Sequence, residues 1–366
     1  MKVAIVHYWL LGMRGGEKVL ESLCRIFPQA DIFTHVLDAG NISPAIARHT
    51  IRTTMIARLP FAKTWYKRYL PLMPFALEQL DLRGYDLVIS SESGPAKGVL
   101  TDSGCVHVCY CHSPMRYLWD LYQDYLQNAG FLTSMALRLF ATKLRIWDYA
   151  SAARVDHFIA NSFNVARRIE KHYRRTAEVV HPPVDIARFR PIDGKYKSAS
   201  PDAPYVMLGE LVRYKRTDLA VQAFNVSGRQ LVVIGDGEDA HRLRAMAKPN
   251  IHFASRQDDA SVVRLLGESR GLIFPGEEDF GIVPLEAMAC GRPVVAYGRG
   301  GALETVQDGV TGVFFQEQTP EALNEAVERL ENNYNHFDTQ TIADRAASFD
   351  VREFERKLTV YFAKVM

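Results

Sequence analysis

Short β-branched apolar runs alternate with amphipathic helical stretches along this chain, pause, and then alternate again. The first series includes KVAIVHYW (2–9), EKVLESLCRIF (17–27), YDLVISS (85–91), VHVCYCHS (106–113), DHFIANS (156–162) and NVARRIEKHY (164–173). Strands that follow one another through helices pair in parallel, so this grammar predicts an α/β sheet covered on both faces. At HPPVDIARFRPIDGKYKSASPDAP (181–204) prolines, Gly194 and serines form a linker. Beyond it PYVMLGEL, RTDLAVQAF, RQLVVIGDG, ASVVRLLGES, GLIFPG and RPVVAYG restart the pattern. A length of 366 residues is too great for one ordinary core. The expectation is two Rossmann-like parallel-sheet domains, 1–182 and 183–346, facing across a cleft. A final helix over 347–366, with Phe349, Phe354, Leu358 and Phe362 on its apolar face, is expected to cross back.

Apolar content of 48% with 23% charged residues excludes a disordered chain, and no apolar run reaches the roughly 18 residues of a membrane span. The opening MKVAIVHYWLLGM lacks a small-x-small cleavage site and reads as a buried strand, which predicts a cytoplasmic protein. Five cysteines without a CxxC pair predict reduced, buried thiols and no metal site. Net charge is +2, but residues 1–180 hold 22 Lys and Arg against 15 Asp and Glu, and the remainder 22 against 27. A basic first half predicts contact with an anionic surface. Its densest stretch, RTTMIARLPFAKTWYKRYLPLMPFALEQL (52–80), interleaves Arg58, Lys63, Lys67 and Arg68 with aromatics including Trp65. That mixture suits a membrane interface or acceptor site; a core helix with a solvated basic face is the rival. No nucleic-acid module accompanies it.

Ligands of such sheets bind beyond the strands' carboxyl ends. Gly15-Gly16, between the first strand and first helix, lets backbone N–H groups approach an anion; a plain tight turn is the alternative. No GxGxxG pattern is present, which disfavours a nicotinamide cofactor. His112, in the loop after a buried strand, is placed to donate to a sugar hydroxyl or phosphate, or else to tie down its own loop. Arg213, Lys215 and Arg216, between a strand end and a helix start, suit a diphosphate. Gly235-Asp236-Gly237 is either a turn or a nucleotide-facing edge.

FPGEEDFGIVPLEAMACG (274–291) says most. Pro284 at the first helical position puts Glu286 in the first turn, where the helix dipole favours it, and Gly291 closes the helix. Glu278 stands across Gly281 on the strand side, leaving the backbone at Gly281-Ile282-Val283 to meet an anion.

EEDFGIVPLEAMACGRPVVAYGRGGALETV resembles the Glu-x7-Glu region of the retaining glycosyltransferases of family 4, which have the GT-B fold. Gly15-Gly16, His112, VRYKR and the closing helix extend the resemblance over nearly the whole chain. CHSPMRYLWD with FPGEEDFGIVPLEAMACG resembles bacterial mannosyltransferases that extend polyprenyl-diphosphate-linked sugars in exopolysaccharide or O-antigen assembly. The resemblance implies that Glu278 meets the donor sugar and Glu286 the ribose. It gives sugar and phosphate to the backbone around Gly281, Ile282 and Val283, and the diphosphate to Lys215; Phe280 beside them is a further donor-binding candidate. Gly16 is implied at the phosphate and His112 near the reacting carbon; Gly235 and Arg256 are further donor-binding candidates. Five residues before Lys215, where the family has arginine, stands Glu210, so Arg213 or Arg216 is left to supply that cation.

The expected activity is hexosyl transfer, with mannose from GDP-mannose as donor and no metal or other cofactor. Attachment to the cytoplasmic face of the inner membrane is expected with it. A sugar-nucleotide epimerase on the same fold and a non-catalytic nucleotide-sugar-binding partner are the competing readings.

Overall fold

The computed structural model describes residues 1–128, 130–191 and 196–366. Part of the linker, with Gly194, lies outside the described residues. Contacts divide the chain into two compact units, Met1–Pro182 with Phe354–Met366, and Pro183–Glu353.

Among the described residues the first unit holds a seven-stranded sheet in the order β3-β2-β1-β4-β5-β6-β7. Its strands are β1 (Val3–His7), β2 (Asp31–Thr34), β3 (Ile51–Thr53), β4 (Leu87–Glu92), β5 (Val106–Cys111), β6 (His157–Ala160) and β7 (Ala177–Val179), all paired in parallel. Side chains alternate between the faces of a strand, and β1 shows why its apolar run is unbroken. Val3 and Ile5 pack with Leu20 and Leu23 of the Gly15–Ile26 helix. Ala4 and Val6 pack on the other face with Leu77, Leu82 and Val99.

The last helix, Val351–Val365, sends Phe354, Leu358 and Phe362 into the first of these clusters. Each buried side chain contributes roughly 1.5–3 kcal/mol. The Phe362 ring meets Phe27 at 5.1 Å, and Glu355 accepts from Arg25 Nε at 2.6 Å. This helix starts at Val351 rather than 347. Phe349 belongs to the second unit's core, against Phe280, and its carbonyl accepts from Val184 N at 3.0 Å, so the chain turns before helix resumes.

The second unit's six-stranded sheet runs β10-β9-β8-β11-β12-β13. It comprises β8 (Tyr205–Leu208), β9 (Leu231–Ile234), β10 (Ile251–Ala254), β11 (Gly271–Phe274), β12 (Val294–Tyr297) and β13 (Gly312–Phe315), again parallel throughout. Strand order reverses between β1 and β4 in the first unit and between β8 and β11 in the second. Those two switch points are where each sheet opens a crevice for a ligand. Among the described residues no helix is long and apolar enough to cross a membrane, and all five cysteines are buried free thiols.

Candidate functional site

In the second unit the loops after β8 and β11, the two switch-point strands, bring Lys215 Nζ to 3.0 Å from Glu278 Oε1. A single 3-10 turn, Arg213–Lys215, precedes Arg216 in the left-handed region at φ 55°, and the Thr217–Ser227 helix follows. Arg216 donates to Gln318 Oε1 at 2.9 Å and Gln318 Nε2 to the Pro275 carbonyl at 2.8 Å, which ties the loops after β8, β11 and β13 together. Burial lowers the Lys215 pKa, but Glu278 and its neighbours outweigh it and raise it above the ordinary value. The ammonium stays charged, as the partner of a diphosphate must.

Gly301 N donates to the Glu278 carbonyl at 2.9 Å, which fixes the loop carrying the carboxylate. The following helix is Ile282–Ala289, with Gly281 as its N-cap at φ 85°, a conformation that costs an L side chain about 1–2 kcal/mol. Pro284 is therefore third in the helix, not first, and Glu286 lies one turn in, beyond the reach of the terminal dipole. The reason is that a helix leaves several leading N–H groups without internal acceptors, so proline fits anywhere in that turn. Since Pro284 has no N–H, the open donors are those of Gly281, Ile282 and Val283. Gly291 does close the helix, at φ 73°.

The Phe280 ring is buried against Phe349, with ring centroids 5.8 Å apart. Arg216 is held by Asp218 at 3.2 Å as well as by Gln318. Arg213, half exposed, reaches Asp239 at 3.9 Å. Gly235 follows β9, and Arg256 is exposed in the loop after β10. Both lie at carboxyl ends of strands on the β9–β10 side of the Lys215–Glu278 pair.

In the first unit Gly16 and His112 come together. A Cβ on Gly16 would stand 2.3 Å from Tyr8 Oη and 3.7 Å from His112 Nε2, so only glycine fits this approach. His112 Nε2 lies 3.0 Å from Ser91 Oγ, at the end of β4, and Ser91 Oγ lies 3.1 Å from His7 Nδ1, at the end of β1. His7 Nε2 faces Glu17 Oε1 at 3.7 Å, too long for a hydrogen bond. Glu17 Oε2 accepts from Arg14 N at 3.0 Å. Burial, reinforced by His7, pushes the His112 imidazole down to about 3, so it is neutral at physiological pH. Burial raises the Glu17 carboxyl, yet His7 and backbone donors outweigh it and hold it below its ordinary value.

Sequence reasoning missed His7, Glu17 and Ser91; the first and last end strands flanking the switch point, which is the signal that could have found them. It also missed a fully buried ionic cluster. Lys97 Nζ donates to Glu92 Oε1 at 2.8 Å and to Asp148, which also accepts from Trp119 Nε1 at 2.7 Å and Tyr173 Oη at 3.0 Å. Trp119 anchors the loop that His112 begins.

The 52–80 segment is not one helix but a run of short turns, Met55–Arg58, Ala62–Trp65, Tyr66–Leu72 and Met73–Glu78. Arg58, Lys63, Trp65, Lys67 and Arg68 are all exposed, with the Arg68 guanidinium 4.7 Å from the Trp65 ring centroid. Beside it runs a helix not foreseen, Phe131–Ala152. Leu70 packs against the cluster of its Ala141 and Leu144, and Trp147 Nε1 donates to Glu78 at 3.0 Å. The outer stripe of this helix is apolar, with Phe131 81%, Leu139 65% and Ile146 66% exposed. Arg138 and Lys143 are exposed on either side, and the only acidic residue in its sequence, Asp148, is buried.

Residues 13–188 match the family described as Glycosyltransferase Family 4, and residues 189–346 the family described as Glycosyl transferases group 1. A D-inositol 3-phosphate glycosyltransferase of Streptomyces avermitilis is 31% identical over 210 residues, 48% of this chain and 44% of that protein. The chain thus spans less than half the length of the curated relatives it matches. Among solved structures, Anabaena Alr3699/HepE in complex with UDP superposes with a TM-score of 0.70 at 17% identity, over 100% of both chains. Sucrose-phosphate synthase from Thermosynechococcus elongatus gives 0.73 at 16% identity, over 100% of this chain and 99% of that one. The shared architecture is GT-B, two parallel-sheet units with a closing helix.

Proposed function

The chain belongs to glycosyltransferase family 4, and on that footing we propose that it is a retaining hexosyltransferase. It moves mannose from GDP-mannose to a polyprenyl-diphosphate-linked oligosaccharide in exopolysaccharide or O-antigen assembly. The observation that carries the transferase reading is the Lys215–Glu278 pair at the β8–β11 switch point, beside the open N–H groups of Gly281, Ile282 and Val283. Negative charge develops on the departing diphosphate, and a fixed ammonium with preorganised N–H donors is what stabilises it. Glu278 takes the sugar hydroxyls and Glu286 the ribose.

Retention here needs no glycosyl-enzyme. With Glu278 Oε1 bound to an ammonium at 3.0 Å, its nucleophilicity is spent. The two-carboxylate alternative requires a second carboxyl about 5 Å away across the bond, and Glu286 is assigned to ribose. The bond from the anomeric carbon to the β-phosphate oxygen breaks. The acceptor oxygen bonds to the same face, and its proton passes to the departing β-phosphate.

The choice of mannose rests on the CHSPMRYLWD resemblance. The membrane side rests on the exposed basic and aromatic 52–80 segment together with the apolar outer stripe of the adjoining Phe131–Ala152 helix. Both suit peripheral attachment to an anionic cytoplasmic leaflet.

Incubating the protein with GDP-, UDP- and dTDP-sugars, with and without a polyprenyl-diphosphate-linked saccharide, tests the reading. Expected is acceptor-dependent loss of GDP-mannose with an α-linked product. Interconversion of the free donor identifies an epimerase, and binding without turnover a non-catalytic partner.

A further inference from the structure

Of the four tryptophans in this chain, three have settled surroundings. Trp119 Nε1 donates to Asp148 at 2.7 Å, Trp147 Nε1 donates to Glu78 at 3.0 Å, and Trp65 is exposed. Trp9 is half-buried, yet its Nε1–H meets no protein acceptor among the described residues and is not sealed from solvent. Its ring partner is Tyr66, with centroids 4.7 Å apart. Tyr66 is half-buried too, and its hydroxyl makes no protein hydrogen bond among the described residues. We propose that Trp9 and Tyr66 form a stacking platform for one sugar of the acceptor, next to the sugar that receives the transfer. The platform rests on the glycosyl-transfer reading and makes a second acceptor sugar a determinant of specificity.

The position of Trp9 is fixed by its backbone. It follows β1, one of the two switch-point strands; Leu10 N donates to the Val36 carbonyl at 2.9 Å and Asp38 N to the Leu10 carbonyl at 2.7 Å. The ring packs with Tyr66 against the cluster of Val36, Ile56 and Met73. From the loop after β4, the other switch-point strand, a Cβ on Gly94 would stand 3.9 Å from Trp9 Cζ3, an ordinary contact. Inward, the Tyr8 ring lies 4.7 Å from Trp9 and 6.5 Å from His112. Two ring steps thus separate Trp9 from the crevice where Gly16 and His112 meet, which places the platform beside that crevice and not in it. Outward, Lys67 Nζ is 5.8 Å from the Tyr66 centroid.

The chemistry of the pair selects its ligand. A pyranose has faces rich in C–H groups and a rim of hydroxyls. The negative faces of the two rings attract the C–H groups, and the rim accepts the Trp9 N–H and exchanges a hydrogen bond with the Tyr66 hydroxyl. A lipid tail would cover both polar tips and offer them no acceptor, which is costly for a donor taken out of water. A phosphate is repelled by the ring faces and drawn to the exposed Lys67 and Arg68 instead.

The test uses the full chain labelled with 15N-indole tryptophan, with the Trp9 signal assigned by its loss in Trp9→Phe. The probes are decyl diphosphate, bare or carrying one or two hexoses of the gluco, galacto or manno series. In at least one series the two-hexose probe is expected to shift the Trp9 signal and to bind about tenfold more tightly than its one-hexose counterpart. Trp9→Phe and Tyr66→Phe, which keep the rings and remove the donors, should each weaken the two-hexose probe about threefold and leave the bare probe unchanged. Trp9→Ala should erase the two-hexose preference. No preference in any series overturns the proposal, as does a preference that survives all three substitutions. A Trp9 signal moved equally by bare decyl diphosphate or by saccharide-free anionic vesicles marks a lipid contact and also overturns it. Should Trp9→Ala not fold, the two phenylalanine variants decide. Binding is read without a donor, so a Trp9-dependent preference in a protein that turns over no donor supports the platform and counts against the transferase reading alone.

Discussion

Lys215 and Glu278 stand 60-odd residues apart in sequence and 3.0 Å apart in space, on the loops that leave the two central strands of the second sheet. Both side chains are mostly buried, so neither is dispensable to the other. Lys215→Met is expected to lower kcat by about 10²–10³-fold through loss of the leaving-group cation. It should also cost about 1–3 kcal/mol of stability by stranding Glu278. Urea unfolding of Lys215→Met, Glu278→Gln and the double variant checks the second point, the double variant being more stable than the sum of the two singles implies.

Chelation should do nothing. With Lys215 and backbone N–H groups assigned to the diphosphate, initial rates in excess EDTA are expected to match those in added magnesium or manganese. A rate that collapses with chelator and returns with one metal would refute the metal-free scheme.

Acid should unfold the protein early. His35 and His107 are pushed down to about 4, and His112 to about 3, chiefly by burial, from an ordinary 6.5. For groups with a depressed folded pKa, the unfolded chain takes up the proton first. The stability tied to these neutral rings is therefore intact above pH 6.5 and lost as pH falls from there toward 4. Glu92, raised by burial despite Lys97, works in the opposite sense, leaving a net uptake near two protons. The expected slope in urea titrations between pH 6 and 4 is on the order of 2 kcal/mol per pH unit; a flat profile there is inconsistent with buried neutral rings.

Gly16→Ala places a methyl 2.3 Å from Tyr8 Oη, inside contact distance. Displacing the buried Tyr8 ring is expected to cost about 1–3 kcal/mol and to move His112, lowering kcat more than a surface Gly→Ala change such as Gly104→Ala, which meets nothing within 4 Å. Thermal unfolding and kcat measured on both variants check it.

For the membrane surface, sedimentation with vesicles rich in anionic lipid is expected to weaken about tenfold for each of Leu139→Asp and Ile146→Asp, and to weaken again with added salt. Equal binding to neutral vesicles at every ionic strength would contradict it.

The sheets were legible because a parallel strand buried on both faces leaves an unbroken apolar run, as VAIVH does. The 131–152 helix was harder for the same reason turned round. Its stripe of Phe131, Leu139 and Ile146 has the pattern of a core face, and periodicity marks a face as apolar without saying what covers it. Pro284 misled because proline is tolerated through the whole first turn. His7, Glu17 and Ser91 escaped because their meeting depends on β1 and β4 lying side by side, a pairing that 80 intervening residues do not announce. Glu278 and Lys215 were each singled out, but for separate ligands, since charge at a strand end shows what a residue can bind and not which neighbour it already holds.

The closing helix has a consequence for synthesis. Residues 183–353 are one uninterrupted stretch, whereas the first unit includes Phe354, Leu358 and Phe362 from the far end of the chain. As the polypeptide leaves the ribosome, the later unit has all its residues in hand while the earlier one still lacks three large core side chains. The part translated first is thus the last to be completed, and a released chain cut before Phe354 would hold every residue of the second unit but not of the first.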